Sequence, residues 1–306
     1  MKGMISVLLI SALFLTLTGC RAPADAASAT LPTGETVPTA QPAMQSPAVS
    51  RPEPADGDFV RVKDYLPDVL QQLPYSGDEN FTGQRIYDFS EVFLRYGTVK
   101  KLMAVCNELY GQGLTLKIWD GFRPVSAQFK LWEVCPDDTY VANPTKGFSA
   151  HSRGNTVDVT LVDMAGRELE MPTGFDDFSG KADRDYSDIP EIPTRNALLL
   201  QNTMEKHGFV GYFGEWWHFQ DSDSYPVEEI FEPVSEMQYC AECNSFINLR
   251  VRPDTAAEVI ARIPKGREFT VLAKCGSFAL AEYQGTWGYV HGDYIRPVTR
   301  EVPSDN

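Results

Sequence analysis

Before residue 234 the apolar positions of this chain switch between a helical and an alternating period; after residue 245 they fall into short alternating runs. Val99, Leu102, Met103, Cys106 and Leu109 recur every three or four residues, which predicts an amphipathic helix over 98–110 stopped by Gly111. Residues 114–119 alternate as a strand does. Helical spacing returns over 126–135 and over 196–207, the latter with Thr194 as its expected cap and Leu198, Leu199 and Met204 as its core face. Val157, Val159 and Leu161 form one face of a strand over 157–161, with Asp158 and Thr160 on the other. Helices mixed with short strands predict an α+β domain over residues 58–233, long enough for a sizeable core. Four later runs, 247–251, 268–272, 278–283 and 287–290, are separated by turns such as Pro264-Lys-Gly266 and predict a small all-β barrel within 240–299.

Two segments stand outside these patterns. Residues 1–20 open with a basic end, run apolar from Ile5 to Leu17 and close on Leu17-Thr-Gly-Cys20, the layout of an export signal whose last four residues resemble a bacterial lipobox. Cleavage before Cys20, a lipid anchor on its thiol and a protein exported to the extracytoplasmic face of a bacterial membrane are expected. The apolar stretch is too short for a span of about twenty residues. Residues 21–57 are rich in Ala, Pro, Ser and Thr with scarcely an aromatic side chain, offer too little apolar surface to fold, and predict a tether.

Composition narrows the setting. Of six cysteines, Cys106, Cys135, Cys240, Cys243 and Cys275 remain once Cys20 is set aside. Thiols outside the cytoplasm tend to pair. A bridge from Cys240 or Cys243 to Cys275 is the preferred expectation, since a barrel of roughly 55 residues is near the lower limit for folding alone; Cys106 with Cys135 is the other candidate. Cys240-Ala-Glu-Cys243 has no second close pair and so makes a poor zinc ribbon. The net charge of −15 argues against nucleic acid and against an electrostatic hold on anionic envelope polymers.

The candidate chemistry lies in Phe148-Ser-Ala-His-Ser-Arg-Gly-Asn-Thr-Val-Asp158 and in Glu215-Trp-Trp-His218. His151, Asp158 and His218 supply two imidazoles and a carboxylate, enough to hold Zn²⁺ and leave its fourth position to a water whose pKa the metal lowers to about 7. Glu215 is a second carboxylate able to take the proton. The chain has four histidines, and two of them fall in these motifs. Glu215 and His218 cannot share a strand face at an odd separation, so Glu215 is expected on a bend after Gly214 with a strand starting at Trp216. His207 falls in the last turn of a helix, where a basic side chain meets the negative end of the dipole. His291 is given no role.

With Asn80-Phe-Thr-Gly83, Asp120-Gly-Phe-Arg-Pro124 and Met171-Pro-Thr-Gly-Phe-Asp-Asp-Phe178, these motifs resemble, in order across residues 64–220, the zinc D-alanyl-D-alanine dipeptidases of the VanX type. The related D,D-carboxypeptidases usually have Glu-Pro-Trp-His at the last motif, so Trp216 favours the dipeptidase branch. Thr156 departs from the alanine common in the family. The resemblance implies one zinc ion on His151, Asp158 and His218, Glu215 as general base, Arg123 as stabiliser of the oxyanion, and Ser149 as a contact for the dipeptide's ammonium. It implies D-Ala-D-Ala or peptidoglycan-derived peptides as substrate. The alternatives are a D,D-carboxypeptidase that trims terminal D-Ala from stem peptides, and an inactive peptidoglycan-binding protein, which would have no need of a base beside the metal. Asn248-Leu-Arg-Val-Arg-Pro-Asp254 and Trp287-Gly-Tyr-Val-His-Gly-Asp-Tyr-Ile295 resemble bacterial SH3-like domains, which implies contact with the cell wall.

Overall fold

The computed structural model describes residues 53–298; the expected signal with Cys20, and the tether up to residue 52, lie outside them. Residues 53–57, expected to end the tether, belong to the fold. Tyr96 donates to Glu53 Oε1 at 2.8 Å, and Lys100 pairs with Asp56 at 2.6 Å.

The first region runs β1 (Phe59–Arg61), β2 (Leu70–Gln71), β3 (Phe93–Arg95), α1 (Tyr96–Tyr110), β4 (Leu114–Asp120), α2 (Val125–Val134), β5 (Thr156–Asp163), α3 (Glu191–Lys206), β6 (Phe209–Gly211) and β7 (His218–Asp221). Five strands form one sheet in the order β2-β4-β5-β7-β6, antiparallel except for β2 beside β4, while β1 and β3 make a separate ribbon. Val99, Leu102, Val105, Cys106 and Leu109 are the buried apolar stripe of α1, with Met103 on its half-buried flank. They share one core with Val157, Val159 and Leu161, the face of β5 opposite Asp158.

α3 starts at Glu191, five residues before the expected start, because Pro190 and Pro193 fall at its cap and first turn, where a missing N–H leaves no helical bond unmade. Thr194 is therefore inside the helix, and its hydroxyl donates to the carbonyl of Ile189 at 3.2 Å rather than capping. Of the expected core face, Leu198 is exposed and Leu199 half-buried, while Met204 is buried together with Leu200. His207 follows the last residue of α3, as expected, and its Nε2 lies 2.7 Å from Glu108 Oε2 on α1.

The second region is all-β: β8 (Phe231–Ala241), β9 (Phe246–Arg250), β10 (Val259–Pro264), β11 (Glu268–Cys275), β12 (Phe278–Tyr283), β13 (Thr286–His291) and β14 (Ile295–Pro297) form one sheet in the order β10-β9-β13-β12-β11-β8-β14. β8, β10 and β14 were not foreseen. β8 also fills residues 234–239, which the expected limits 58–233 and 240–299 left between them. It pairs with β11 in two stretches, broken by a bulge between Val271 and Ala273.

All five described cysteines are free thiols, so the expected bridge to Cys275 does not form. The β8–β11 register explains why: Cys240 lies opposite Glu268 and Cys275 opposite Phe231, at the two ends of the pair. Roughly 20 Å of strand separates them at about 3.3 Å per residue, against the roughly 4.4–6.8 Å between Cα atoms that a disulfide spans. Cys243 follows Cys240 at the same end. Cys106 and Cys135 do not bridge either.

Candidate active site

Three neighbouring strands assemble the centre. Asp120 on β4 stands opposite Asp158 on β5, and Asp158 stands opposite His218 on β7. Directly opposed residues of antiparallel strands share a face. A bulge between Ile118 and Asp120 turns Asp120 to that face, away from the core face that Leu116 and Ile118 serve.

His151 comes from a 3₁₀ turn, Ala150–Arg153, that leads into β5. Ser149 opens the turn, its Oγ accepting from the His151 N–H at 3.3 Å, and Gly154 closes it at φ +75°, in the left-handed region that favours glycine. A Cβ on Gly154 would also meet the Phe59 ring at 2.4 Å. His151 Nδ1 donates to the carbonyl of Gly121 at 2.8 Å. That bond fixes the tautomer and leaves the Nε2 lone pair for the site.

These groups suit a metal. Ligand atoms of His151, Asp158 and His218 all lie within 4.8 Å of one another. His151 Nε2 is 3.4 Å from Asp158 Oδ2 and His218 Nδ1 is 3.0 Å from Asp158 Oδ1, close to the roughly 3.3 Å edge of a tetrahedron built on zinc–ligand bonds of about 2.0–2.1 Å. Asp158 Oδ1 is buried, yet its approach to His218 lacks the direction of a hydrogen bond and it has no other partner. A buried carboxylate oxygen left this way is costly unless a cation meets it. Burial works against the charged form of Asp158, but the two imidazoles outweigh it and hold the carboxyl well below its usual range.

Glu215 and His218 converge through a turn. The strand begins at His218 itself and not at Trp216; the His218 N–H reaches back to the Glu215 carbonyl at 3.4 Å, closing a four-residue turn that brings Glu215 Oε2 within 3.5 Å of His218 Nδ1. Trp216 N–H donates to the carbonyl of Ala182 at 2.9 Å, a bond that proline at this position could not make. Its indole, buried against Trp119 and Trp217, donates to Thr173 Oγ1 at 2.9 Å. Burial, and then the charge of Asp158, raise the Glu215 carboxyl above its ordinary pKa, as suits a base working near neutrality.

Arg123 lines the same cleft, with Ser149, His151, Glu215 and His218; its volume is about 680 Å³. Arg123 is tied into the structure and still has donors to spare. Nε donates to Tyr87 Oη at 3.0 Å, Nη1 to Gln128 Oε1 at 3.0 Å and Nη2 to Asp120 Oδ2 at 2.6 Å, which uses three of its five N–H groups and leaves two. Thr156 is buried, and its hydroxyl reaches Asn155 Oδ1 at 3.5 Å.

Three residues that sequence reasoning left unassigned complete the site. Asp120 accepts from Arg123, Tyr87 and the Gly121 N–H, and so orders the loop that carries Arg123. Arg184 holds the Glu215 turn by its carbonyls, donating to Tyr212, Trp216 and His218 at 2.8, 3.1 and 3.0 Å. Asp176, at φ +56°, accepts from Tyr75 Oη at 2.7 Å; burial foremost, opposed by that bond and helped by the charge of Asp158, pushes its carboxyl up to about 7. Asp120 and Asp176 sat within quoted motifs, the one available signal; nothing marked Arg184.

Residues 55–237 match the family described as D-ala-D-ala dipeptidase, and residues 245–296 match the bacterial SH3 domain. A D-alanyl-D-alanine dipeptidase of Escherichia coli is 39% identical over 164 residues, 53% of this chain and 84% of the relative. Dipeptidases of Enterococcus faecalis and Enterococcus faecium are 29% and 30% identical, covering 56% and 58% of this chain and 95% and 98% of theirs. The matched stretch holds the whole His151, Asp158, Glu215 and His218 constellation, and on that footing the chain belongs to the D-Ala-D-Ala dipeptidase family of metallopeptidases, with a bacterial SH3 domain following its catalytic region.

Proposed function

We propose that this peptidase hydrolyses the free dipeptide D-Ala-D-Ala, with zinc held by His151, Asp158 and His218. The observation that carries the reading is the buried Asp158 carboxylate between two imidazoles, its Oδ1 without a hydrogen bond, with Glu215 beside the set. Zinc bound there supplies a Lewis acid that polarises the peptide carbonyl and acidifies water. Glu215 accepts the proton at its carboxylate and passes it to the leaving amine. The N–H groups that Arg123 keeps free meet the oxygen on which negative charge gathers. A free dipeptide carries an ammonium that a stem peptide lacks; Asp176, a half-buried carboxyl influenced by the charges of Asp158 and Arg123, offers it a partner, and Ser149 in the cleft wall a polar contact.

Export follows from the lipobox-like Cys20, and the proposed setting is the outer face of the membrane, lipid on Cys20 and the SH3 domain against wall peptides. Outside the cell the dipeptide would be a scavenged wall fragment. Labelling with a fatty-acid analogue in cells, lost in Cys20→Ala, tests the anchor; label retained in that variant rejects it.

Zinc-loaded protein offered free D-Ala-D-Ala beside an N-acylated peptide ending in D-Ala-D-Ala decides the substrate. Cleavage of the free dipeptide alone supports the proposal. Cleavage of the acylated peptide establishes the carboxypeptidase instead, and cleavage of neither leaves the binding protein.

A further inference from the structure

The loops that carry Arg123 and His151 rest on an aromatic seam shared with the SH3 domain. Phe59, Phe93 and Phe122 from the catalytic region, Phe231 at the start of β8, and Phe278 and Leu280 from the barrel lie in one buried cluster. Phe231, 4% exposed, stacks on Phe59 with ring centres 4.3 Å apart and planes 6° from parallel, and meets Phe122 at 5.7 Å and Phe93 at 5.4 Å. Phe122 lies between Gly121, whose carbonyl holds His151 Nδ1, and Arg123, whose N–H donates to the His151 carbonyl at 3.3 Å. Phe59 occupies the space beside Gly154 at the end of the His151 turn.

The chain leading into β8 grips that turn as well. Arg153 Nη1 donates to the Tyr225 carbonyl at 2.8 Å, and the Glu228 N–H donates to the Ser152 carbonyl at 2.8 Å. Glu228 Oε1 in turn accepts from the N–H groups of Ile230 and Phe231 at 3.0 and 3.2 Å. Arg61 of β1 reaches across to the second region, over the Trp287 ring at 4.4 Å and to Glu236 at 2.8 Å.

We infer that Phe231 is a positioning residue of the peptidase centre and that the SH3 domain, whatever it binds, acts as a buttress for the catalytic loops; this rests on the zinc-peptidase reading above. A cleft of about 240 Å³ lies beside Phe59 and Leu280, so displacement passes chiefly through the direct ring contacts of Phe231 with Phe59, Phe122 and Phe93. With Phe231 seated between barrel and loops, Phe122 and Phe59 have one arrangement, and the Gly121 carbonyl and Arg123 have one position. Outer partners that orient a metal ligand are typically worth about 10- to 100-fold in affinity or activity.

The test uses the full chain with Phe231→Ala, Phe231→Leu and a control, Ile263→Ala, whose side chain is buried in the separate core of the barrel. Thermal melting, kcat, KM and zinc affinity, the last by competition with a chelating indicator, are read for each. Folded Phe231→Ala is expected to lose about 10- to 100-fold in kcat and at least about 10-fold in zinc affinity, with Phe231→Leu between it and the parent. Ile263→Ala is expected to melt lower while keeping both. The inference is overturned if folded Phe231 variants retain kcat and zinc affinity, or if Ile263→Ala loses them equally. Where Phe231→Ala does not fold, Phe231→Leu decides. Absence of hydrolysis by the parent sinks the function proposed above, while the zinc affinities still judge the seam.

Discussion

Asp158 and His218, sixty residues apart in sequence, face each other across adjacent antiparallel strands, so this pair of the candidate metal cluster is set by strand register. A slip of one residue would turn His218 toward the core and Phe219 toward the cleft. The side chain beside that pair, Glu215, is carried by a turn and not by the ladder, and its replacement therefore separates chemistry from metal binding. Glu215→Gln is expected to retain zinc, measured by metal analysis, and to lose about 10²-fold or more in kcat. Full activity with zinc bound would reject the base assignment.

Arg123 is held by three different acceptors, and a lysine cannot reproduce that fork. Arg123→Lys keeps the charge but forfeits the contacts to Tyr87, Gln128 and Asp120. A fall of about 10²- to 10³-fold in kcat is expected, the scale of losing an oxyanion donor. An effect confined to KM would instead assign the arginine to ground-state binding.

Removing the metal should unmake the site in a graded way. Chelation is expected to abolish hydrolysis and added zinc to restore it, while Asp120→Asn, which loosens the Arg123 loop and removes a charge 3.8 Å from His151 Nδ1, is expected to cost about 10- to 100-fold in kcat/KM. Chelator-resistant activity would show that the ligand cluster is idle.

The Asp176 carboxyl, raised from the usual carboxylate range to about 7, predicts a pH signature in the metal-free protein. Protonated in both states below about pH 4, it favours the fold there; between about 4 and 7 the folded state binds the extra proton, so stability drains away as pH rises. The loss is at most about 4 kcal/mol. Asp176→Asn still accepts from Tyr75, tolerates the positive φ, and should melt above the parent at pH 8, with the gap closing toward pH 4. A gap independent of pH would contradict the shift.

Since Cys240 and Cys275 are at opposite ends of β8 and β11, reductant should leave the melting temperature of the full chain unchanged. A fall in its presence would reveal a bridge.

The site was more legible than the fold around it. His151, Asp158, Glu215 and His218 are distinctive residue types in short motifs, and the family resemblance added Arg123. Asp176 and Arg184 act through long-range contacts, with Tyr75 and with the carbonyls of the Glu215 turn, that no local spacing encodes. α3 was shortened in the sequence reading because Pro193 breaks the helical pattern where a first turn tolerates it. β8 escaped notice because Pro233 and the polar run Ser235-Glu236 mask its alternation. The disulfide failed for a related reason: composition says which thiols exist, and register says which can meet.

β8 has a genetic consequence. Its eleven residues serve the catalytic seam at Phe231 and the barrel core at Ala241, so a recombination joint placed anywhere within it would divide a paired strand. The SH3 domain of this chain is not a cassette to be traded for another. A graft onto a different dipeptidase must bring β8 whole and find partners for Phe231 equivalent to Phe59 and Phe122.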